Sequence, residues 1–218
     1  MKNIPGAKPF FLNKQKINSD IRKTLNNGIL SSGLFLKKFE DLFCKKTGAK
    51  YSAAVNSGGT ALEIALESLN IKNKEVIVPT QTFIATANSV IRAGGIPVFC
   101  DIDKNTGCVD LDSIKKKISS KTVGIIYVYM FGIIPKSVLD IKKFCKKKNL
   151  FLLEDASHAH GASIKNHKIG SIGDLATFSF YSTKILTSGE GGVITTNNKK
   201  LYDKCKIILN HGKDPKKN

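Results

Sequence analysis

Arginine is nearly absent from this strongly basic chain of 218 residues. Arg22 and Arg92 are the only arginines, so the formal net charge of +18 comes almost entirely from lysine. Nucleic-acid sites rely on arginine for bidentate contacts to bases and phosphates, whereas the lysine runs 115–117 and 146–148 fit the solvated faces of helices. We therefore expect no nucleic-acid partner, although the positive field would attract an anionic small substrate.

The sequence also lacks a long apolar run, a secretion signal and paired cysteines. Its most apolar stretch, Val123–Ile134, is much shorter than the roughly 20 residues of a membrane helix, and the opening MKNIPGAKPF has no apolar signal-peptide core. The five cysteines form an odd, widely spaced set without a C-x-x-C pair, which fits no disulfide framework. These absences predict a cytoplasmic protein with reduced thiols and no membrane association.

No repeat, low-complexity stretch or linker divides the chain, so residues 1–218 are expected to form a single domain. Predicted strands and helices alternate along it. The strands are Lys50–Val55, Glu75–Val78, Pro97–Asp101, Val123–Tyr129, Leu150–Leu153, Ala176–Tyr181 and Val193–Thr196, and the helices are Gly59–Leu69, Thr82–Ala93, Asp110–Ile118, Lys136–Lys147 and Asn198–Asn210. This alternation predicts an α/β fold with a mostly parallel sheet and helices on both faces.

Ligands of such sheets bind at the carboxyl ends of strands, where the segment Asn56–Thr60 follows a predicted strand and opens a helix. Gly58 and Gly59 let the backbone approach a ligand, and the N–H groups of a helix N-terminus can bind an anion such as phosphate. The spacing matches neither a P-loop nor a Rossmann fingerprint. An ordinary strand-to-helix turn is the alternative interpretation.

A second segment, Glu154-Asp155, directly follows a short apolar strand. A carboxylate near the core needs a cationic or hydrogen-bonding partner, and a protonated pyridine nitrogen is one such partner. A helix cap and a metal site are the alternatives, because His158 and His160 lie close by. The spacing of Asp155, His158 and His160 matches no standard zinc pattern, so no metal is expected.

A third segment, SFYSTK from Ser179 to Lys184, leads into the glycine-rich turn 187–192. A desolvated lysine amine among small polar residues can form a Schiff base with an aldehyde. The hydroxyl of Ser179 could donate to the phosphate of the same ligand. The alternative is that Lys184 is one more exposed lysine in a lysine-rich chain.

Together these segments resemble the DegT/DnrJ/EryC1/StrS family of sugar aminotransferases, which use pyridoxal phosphate (PLP) and have fold type I. The resemblance runs through nearly the whole chain, and the order and spacing of its motifs make a chance match very improbable. The matching motifs are GILSSG (28–33), FEDLFCKKTGAKYSAAVNSGGTAL (39–62), EVIVPTQTFIATANSV (75–90), PVFCDID (97–103), EDASHAHGA (154–162), GSIGDLATFSFYSTK (170–184), GEGG (189–192) and NHG (210–212).

The resemblance implies a role for each matching site residue. Lys184 would hold the cofactor and act with Asp155, the partner of the pyridine nitrogen, as the catalytic pair. The remaining implied cofactor contacts are Phe83 stacked on the ring, His158 at the ring hydroxyl, and Gly58, Gly59 and Ser179 at the phosphate.

Two of these positions depart from the family pattern. Gly59 stands where many members have Thr, so one hydroxyl contact to the phosphate would be replaced by backbone N–H donors. His158 stands where Gln is common, and both residues can donate a hydrogen bond. A related dehydratase branch has His at the position of Lys184, so the lysine favours transamination.

The resemblance also implies a substrate and an assembly. The enzyme would move an amino group from an amino acid, by analogy glutamate, to a nucleotide-linked keto sugar for cell-surface polysaccharide or related amino-sugar synthesis, and would work as a homodimer. This chain would correspond to the large domain and is expected to be truncated before the smaller C-terminal domain. Its segment 1–35 is expected to face the substrate or the partner subunit. A truncated, non-catalytic PLP-binding remnant and a PLP-dependent sugar dehydratase are the alternatives.

Overall fold

A computed structural model of the protein describes residues 9–214. Its helices are α1 (Lys14–Asn27), α2 (Leu34–Thr47), α3 (Gly58–Ser68), α4 (Ile84–Arg92), α5 (Leu111–Lys117), α6 (Ser137–Lys148) and α7 (Lys199–Leu209). Its strands are β1 (Tyr51–Val55), β2 (Glu75–Pro79), β3 (Ile96–Cys100), β4 (Thr122–Val128), β5 (Phe151–Asp155), β6 (Ser163–Ile164), β7 (His167–Lys168), β8 (Leu175–Ser179) and β9 (Gly192–Thr196). A short 3₁₀ helix covers Met130–Gly132.

Seven strands form one sheet in the order β1-β9-β8-β5-β4-β2-β3, and β6 pairs with β7 in a separate ribbon. Pairing is parallel from β8 to β3, whereas β9 runs antiparallel to both of its neighbours. The prediction of a mostly parallel α/β sheet is therefore confirmed. The reversal at β9 was not predicted, because the composition of a strand does not encode its direction.

Helices cover both faces of the sheet, as predicted. Residues of α2, α5 and α6 share one buried cluster with one face of the strands, and residues of α3, α4 and α7 share another with the opposite face. The alternation within β5 illustrates this division, because Leu152 belongs to the first cluster and Leu153 to the second. Asp155 therefore lies on the same face as α3 and α4.

Five predicted helices are present with ends within two residues of those expected. The predicted cap of α5 is confirmed, since the side chain of Asp110 accepts hydrogen bonds from the amides of Asp112 and Ser113. Helices α1 and α2 were not predicted, and α1 has no buried residue. No helix in the described part of the chain combines the length and the apolarity needed to cross a membrane.

Candidate functional site

A cavity of about 570 Å³ lies at the carboxyl ends of β4, β5 and β8, beside the N-termini of α3 and α4. Polar groups from distant parts of the chain meet there, as the rule for open α/β sheets predicts. All seven predicted site residues line this cavity: Gly58, Gly59, Phe83, Asp155, His158, Ser179 and Lys184.

The first turn of α3 forms one wall of the cavity. Ser57 caps the helix, and its Oγ accepts a hydrogen bond of 3.1 Å from the amide of Thr60. A Cβ at Gly58 would lie 2.8 Å from Cβ of Ser179, so only glycine lets the helix approach the end of β8 this closely. A Cβ at Gly59 would meet nothing closer than 3.7 Å. The structure thus requires glycine at the first position and merely accommodates it at the second.

Asp155 ends β5 and forms another wall. Its side chain is 5% exposed, and both carboxylate oxygens accept hydrogen bonds. Oδ2 accepts from the hydroxyl of Thr86 at 2.9 Å, and Oδ1 accepts from the amide of Ser157 at 3.2 Å. These donors fix the plane of the carboxylate while leaving lone pairs for a ligand.

The neighbouring carboxylate, Glu154, points away to the opposite face of the sheet. It accepts hydrogen bonds from the hydroxyl of Tyr129 at 2.7 Å and from three amides of the loop 170–173. Complete burial raises the pKa of Glu154, and the four donors oppose that shift. Glu154 therefore anchors a loop to the sheet, and of the two carboxylates only Asp155 reaches the cavity.

Lys184 and His158 form a close pair across the cavity. Nζ of Lys184 lies 2.8 Å from Nε2 of His158. Burial is the main cause that lowers the pKa of Lys184, opposed by the charge of Asp155. Burial, followed by the charge of Lys184, likewise lowers the pKa of His158. Both shifts favour neutral side chains, and a neutral lysine amine is a nucleophile.

The backbone of Phe131 determines which ring nitrogen of His158 carries the proton. The amide of Phe131 donates to Nδ1 of His158 at 3.3 Å, so the neutral imidazole carries its hydrogen on Nε2. That N–H faces Nζ of Lys184, and it donates to this nitrogen when the amine is unprotonated. Phe131 reaches this position with a left-handed backbone, φ 56°.

Phe83 immediately precedes α4 at the rim of the cavity. Its side chain is 72% exposed, which leaves an aromatic face free for a planar ligand. Ser179, the last residue of β8, lies against Gly58, and its Oγ accepts a weak hydrogen bond of 3.4 Å from the amide of Tyr181.

Other residues at this site were not identified from the sequence: Thr82, Thr86, Ser157, Met130, Phe131, Tyr181, Thr183 and Glu190. Thr86 had a detectable signal, because it lies three residues after Phe83 and thus on the same face of a helix. The amide contact of Phe131 had none, because it depends on backbone geometry.

His160 does not belong to the cavity. Its ring packs edge-on against Phe180, with centroids 5.0 Å apart, and against Phe178 at 5.5 Å. Burial is the main cause that lowers the pKa of His160 to about 4, and neither ring nitrogen makes a well-formed hydrogen bond within the described part of the chain. Residues 9–214 contain no group of three His, Cys, Asp or Glu side chains arranged to hold a metal ion.

Comparison with known proteins places the chain in a family. The model of the DegT/DnrJ/EryC1/StrS aminotransferase family matches residues 12–218. GDP-perosamine synthase of Escherichia coli O157:H7 is 38% identical over 208 residues, which cover 94% of this chain and 56% of that protein.

Solved structures agree with this match. PseC of Helicobacter pylori, described as an aminotransferase involved in the biosynthesis of pseudoaminic acid, superposes with a TM-score of 0.90 at 32% identity, over 97% of this chain and 57% of its own. A GDP-4-keto-6-deoxymannose-3-dehydratase with a trapped PLP-glutamate geminal diamine superposes with a TM-score of 0.88 at 29% identity, over 96% and 55%. The chain spans about half the length of the relatives it matches.

Proposed function

Because this chain belongs to the DegT/DnrJ/EryC1/StrS aminotransferase family, we propose that it is the cofactor-binding part of a PLP-dependent sugar aminotransferase. The observation that carries the proposal is the meeting of Lys184, Asp155 and the first turn of α3 at one cavity. These groups come from three separate chain segments, and each suits a different part of the same cofactor.

The residues around the cavity fit pyridoxal phosphate. The amides at the start of α3 suit a phosphate, and the close approach of Gly58 to Ser179 brings a hydroxyl to the same place. Asp155 is a fixed carboxylate suited to a protonated ring nitrogen. Lys184 is an amine whose lowered pKa favours the unprotonated form, which suits an aldehyde. When bound, the cofactor supplies an aldehyde for amine capture and a ring that accepts electrons from the substrate carbon.

Lys184 would carry out two tasks. Its Nζ would hold the cofactor between turnovers, and after release the same Nζ would act as general base and acid for the proton of the substrate carbon. The lowered pKa of this amine serves both tasks, because each begins with an unprotonated nitrogen.

The other site residues would bind and orient the cofactor. Asp155 keeps the ring nitrogen protonated, and Phe83 covers a face of the ring. His158 would donate its Nε2–H to the ring hydroxyl. Gly58, Gly59 and Ser179 bind the phosphate.

The proposed donor is an amino acid, with glutamate as the first choice, and the proposed acceptor is a nucleotide-linked keto sugar. The relative named GDP-perosamine synthase supports a nucleotide sugar, and the net charge of +18 suits its diphosphate. Lys184 favours transamination over the dehydratase alternative. The free thiols of all five cysteines are compatible with the proposed cytoplasmic location.

We further propose that the segment 1–35 faces the substrate or a second subunit of a homodimer. Its first eight residues lie outside the described part of the chain. In α1, the side chains of Ile17, Ile21 and Leu25 repeat every four residues and are exposed, so they form an apolar stripe that a partner surface would bury.

Cofactor binding is tested by titrating the chain with pyridoxal phosphate, following absorbance, and then reducing the bound form with borohydride. Mass spectrometry should locate the added mass on Lys184. Lys184→Ala should lose this covalent capture, whereas Lys147→Ala, a change at an exposed lysine of α6, should retain it. An unchanged spectrum in Lys184→Ala would refute the assignment.

The activity is tested by incubating the protein with glutamate and a panel of nucleotide-linked keto sugars. Transamination yields an amino sugar and an equal amount of 2-oxoglutarate. Loss of a sugar hydroxyl without amine transfer would indicate the dehydratase. Cofactor binding without any turnover would indicate the non-catalytic alternative.

A further inference from the structure

Thr86 makes an unusual contact for a hydroxyl within a helix. Elsewhere in the described helices, Thr24, Thr47 and Ser89 each bond to the main-chain carbonyl four residues earlier, the common local solution. Thr86 instead donates at 2.9 Å to Oδ2 of Asp155, which is 69 residues away in the chain. Its side chain is 1% exposed, so water does not compete for this hydrogen bond.

A second hydroxyl fixes the direction of this hydrogen bond. Oγ1 of Thr82 lies 2.7 Å from Oγ1 of Thr86. An ionised Asp155 only accepts hydrogen bonds, so the single proton of Thr86 points to Asp155 and its oxygen accepts from Thr82. The chain of donors therefore runs from Thr82 through Thr86 to the carboxylate, and such chains polarise and strengthen each member.

Helix α4 connects this series of hydrogen bonds to Phe83 at the rim of the cavity. Phe83 and Thr86 are three residues apart and lie on one face of the first turn, where the amide of Thr86 also donates to the carbonyl of Phe83 at 3.0 Å. One helical turn thus places both the exposed ring and the donor to Asp155. A shift of α4 would move both together.

We propose that Thr86 is a positioning residue for Asp155: it holds the carboxylate in the plane that meets the cofactor ring nitrogen, with Thr82 orienting its proton. This inference rests on the proposed function. Thr86 itself does not touch the reacting atoms. Without its hydroxyl, Oδ2 loses its donor and the carboxylate can rotate about its side-chain bonds.

Two near-isosteric substitutions separate positioning from packing. Thr86→Val keeps the shape and removes the hydroxyl, whereas Thr86→Ser keeps the hydroxyl and removes a methyl group. Positioning predicts that Thr86→Val weakens pyridoxal phosphate binding about tenfold, as expected for a hydrogen bond to a charged group, and shifts the absorbance of the bound cofactor. Thr86→Ser should stay within about twofold of the wild type. The opposite order would show that Thr86 only fills space.

A double-mutant cycle with Asp155→Asn completes the test. If Thr86 acts through Asp155, Thr86→Val should add little in the Asp155→Asn background. Additive effects would overturn the proposal. Tight cofactor binding by the wild type with equal binding by Thr86→Val would refute this inference and leave the proposed function standing. No cofactor binding by the wild type would instead refute the proposed function.

Discussion

The amine of Lys184 lies 2.8 Å from Nε2 of His158, and the amide of Phe131 donates a hydrogen bond to Nδ1 of the same ring. These two contacts suit a neutral imidazole whose hydrogen on Nε2 faces the amine of Lys184. The lowered pKa of Lys184 favours the unprotonated amine, which is the form that reacts with an aldehyde. Burial is the physical cause, because it penalises the charged form of each partner.

Acid should disrupt the contact between His158 and Lys184 and weaken pyridoxal phosphate binding. His158→Gln should remove this pH dependence. The pKa of His158 is lowered from its ordinary value of 6.5, so the imidazole stays neutral at pH 6.5 and gains its second proton only below that. The imidazolium would carry a hydrogen on Nδ1 as well, and this N–H would face the amide N–H of Phe131, which is also a donor. We expect the ratio of wild-type to His158→Gln dissociation constants for pyridoxal phosphate to be flat above pH 6.5.

Below pH 6.5 that ratio should rise, by up to about tenfold per pH unit, the limit for one linked proton. Spectroscopic titrations at several pH values measure it. Because Lys184 is present in both proteins, the ratio reports what the side chain at position 158 changes. A ratio that stays flat to pH 4 would contradict the assigned hydrogen-bond pattern.

The two adjacent glycines of α3 should respond differently to alanine. Gly58→Ala places a Cβ 2.8 Å from that of Ser179, and such overpacking costs about 1–3 kcal/mol in the free energy of unfolding. It should also push the helix away from β8 and abolish cofactor binding. Gly59→Ala has room and should be neutral or slightly stabilising, since alanine favours helices.

Gly59→Ser extends the comparison, because it adds a hydroxyl near the proposed phosphate position. It should bind pyridoxal phosphate more tightly than Gly59→Ala, by roughly tenfold for one added hydrogen bond to a charged group. Urea denaturation measures the stability changes, and absorbance titration measures the binding. Equal affinity of Gly59→Ser and Gly59→Ala would place the phosphate elsewhere.

His160 should make the fold sensitive to acid. Its pKa is about 4 in the folded chain and near 6.5 when unfolded. The unfolded state therefore takes up a proton first as the pH falls, so the stability contributed by neutral His160 is complete above pH 6.5 and is lost toward pH 4. The loss at pH 4.5 should be about 2–3 kcal/mol.

His160→Phe places an aromatic ring of similar shape beside Phe178 and Phe180 and should flatten the decline between pH 6.5 and 4.5. Urea denaturation at pH 7 and 4.5 measures it. His167→Ala, at an exposed position, is the matched control and should retain the wild-type slope. An identical slope in His160→Phe would show that other groups cause the acid sensitivity.

Much of the site was predictable because its residues lie in ordered local patterns. Gly58 and Gly59 stand between a strand and a helix, Asp155 ends an apolar strand, and Lys184 follows another. The contacts that tune them were not predictable. Thr86 and Asp155 are 69 residues apart. The spacing from Phe83 places Thr86 on the helix face toward the cavity, but nothing local shows that its hydroxyl bonds to Asp155 and not to its own backbone.

The sequence by itself determined the α/β alternation, the edge of the sheet at which ligands bind, and the residue types that meet there, because these follow from side-chain periodicity and strand order. Only the tertiary structure decided that the hydroxyl of Thr86 faces Asp155, that β9 runs antiparallel to its neighbours, and that burial lowers the pKa of Lys184. The physical reason is that a side chain's face, a strand's direction and a desolvated amine depend on which distant segments pack together.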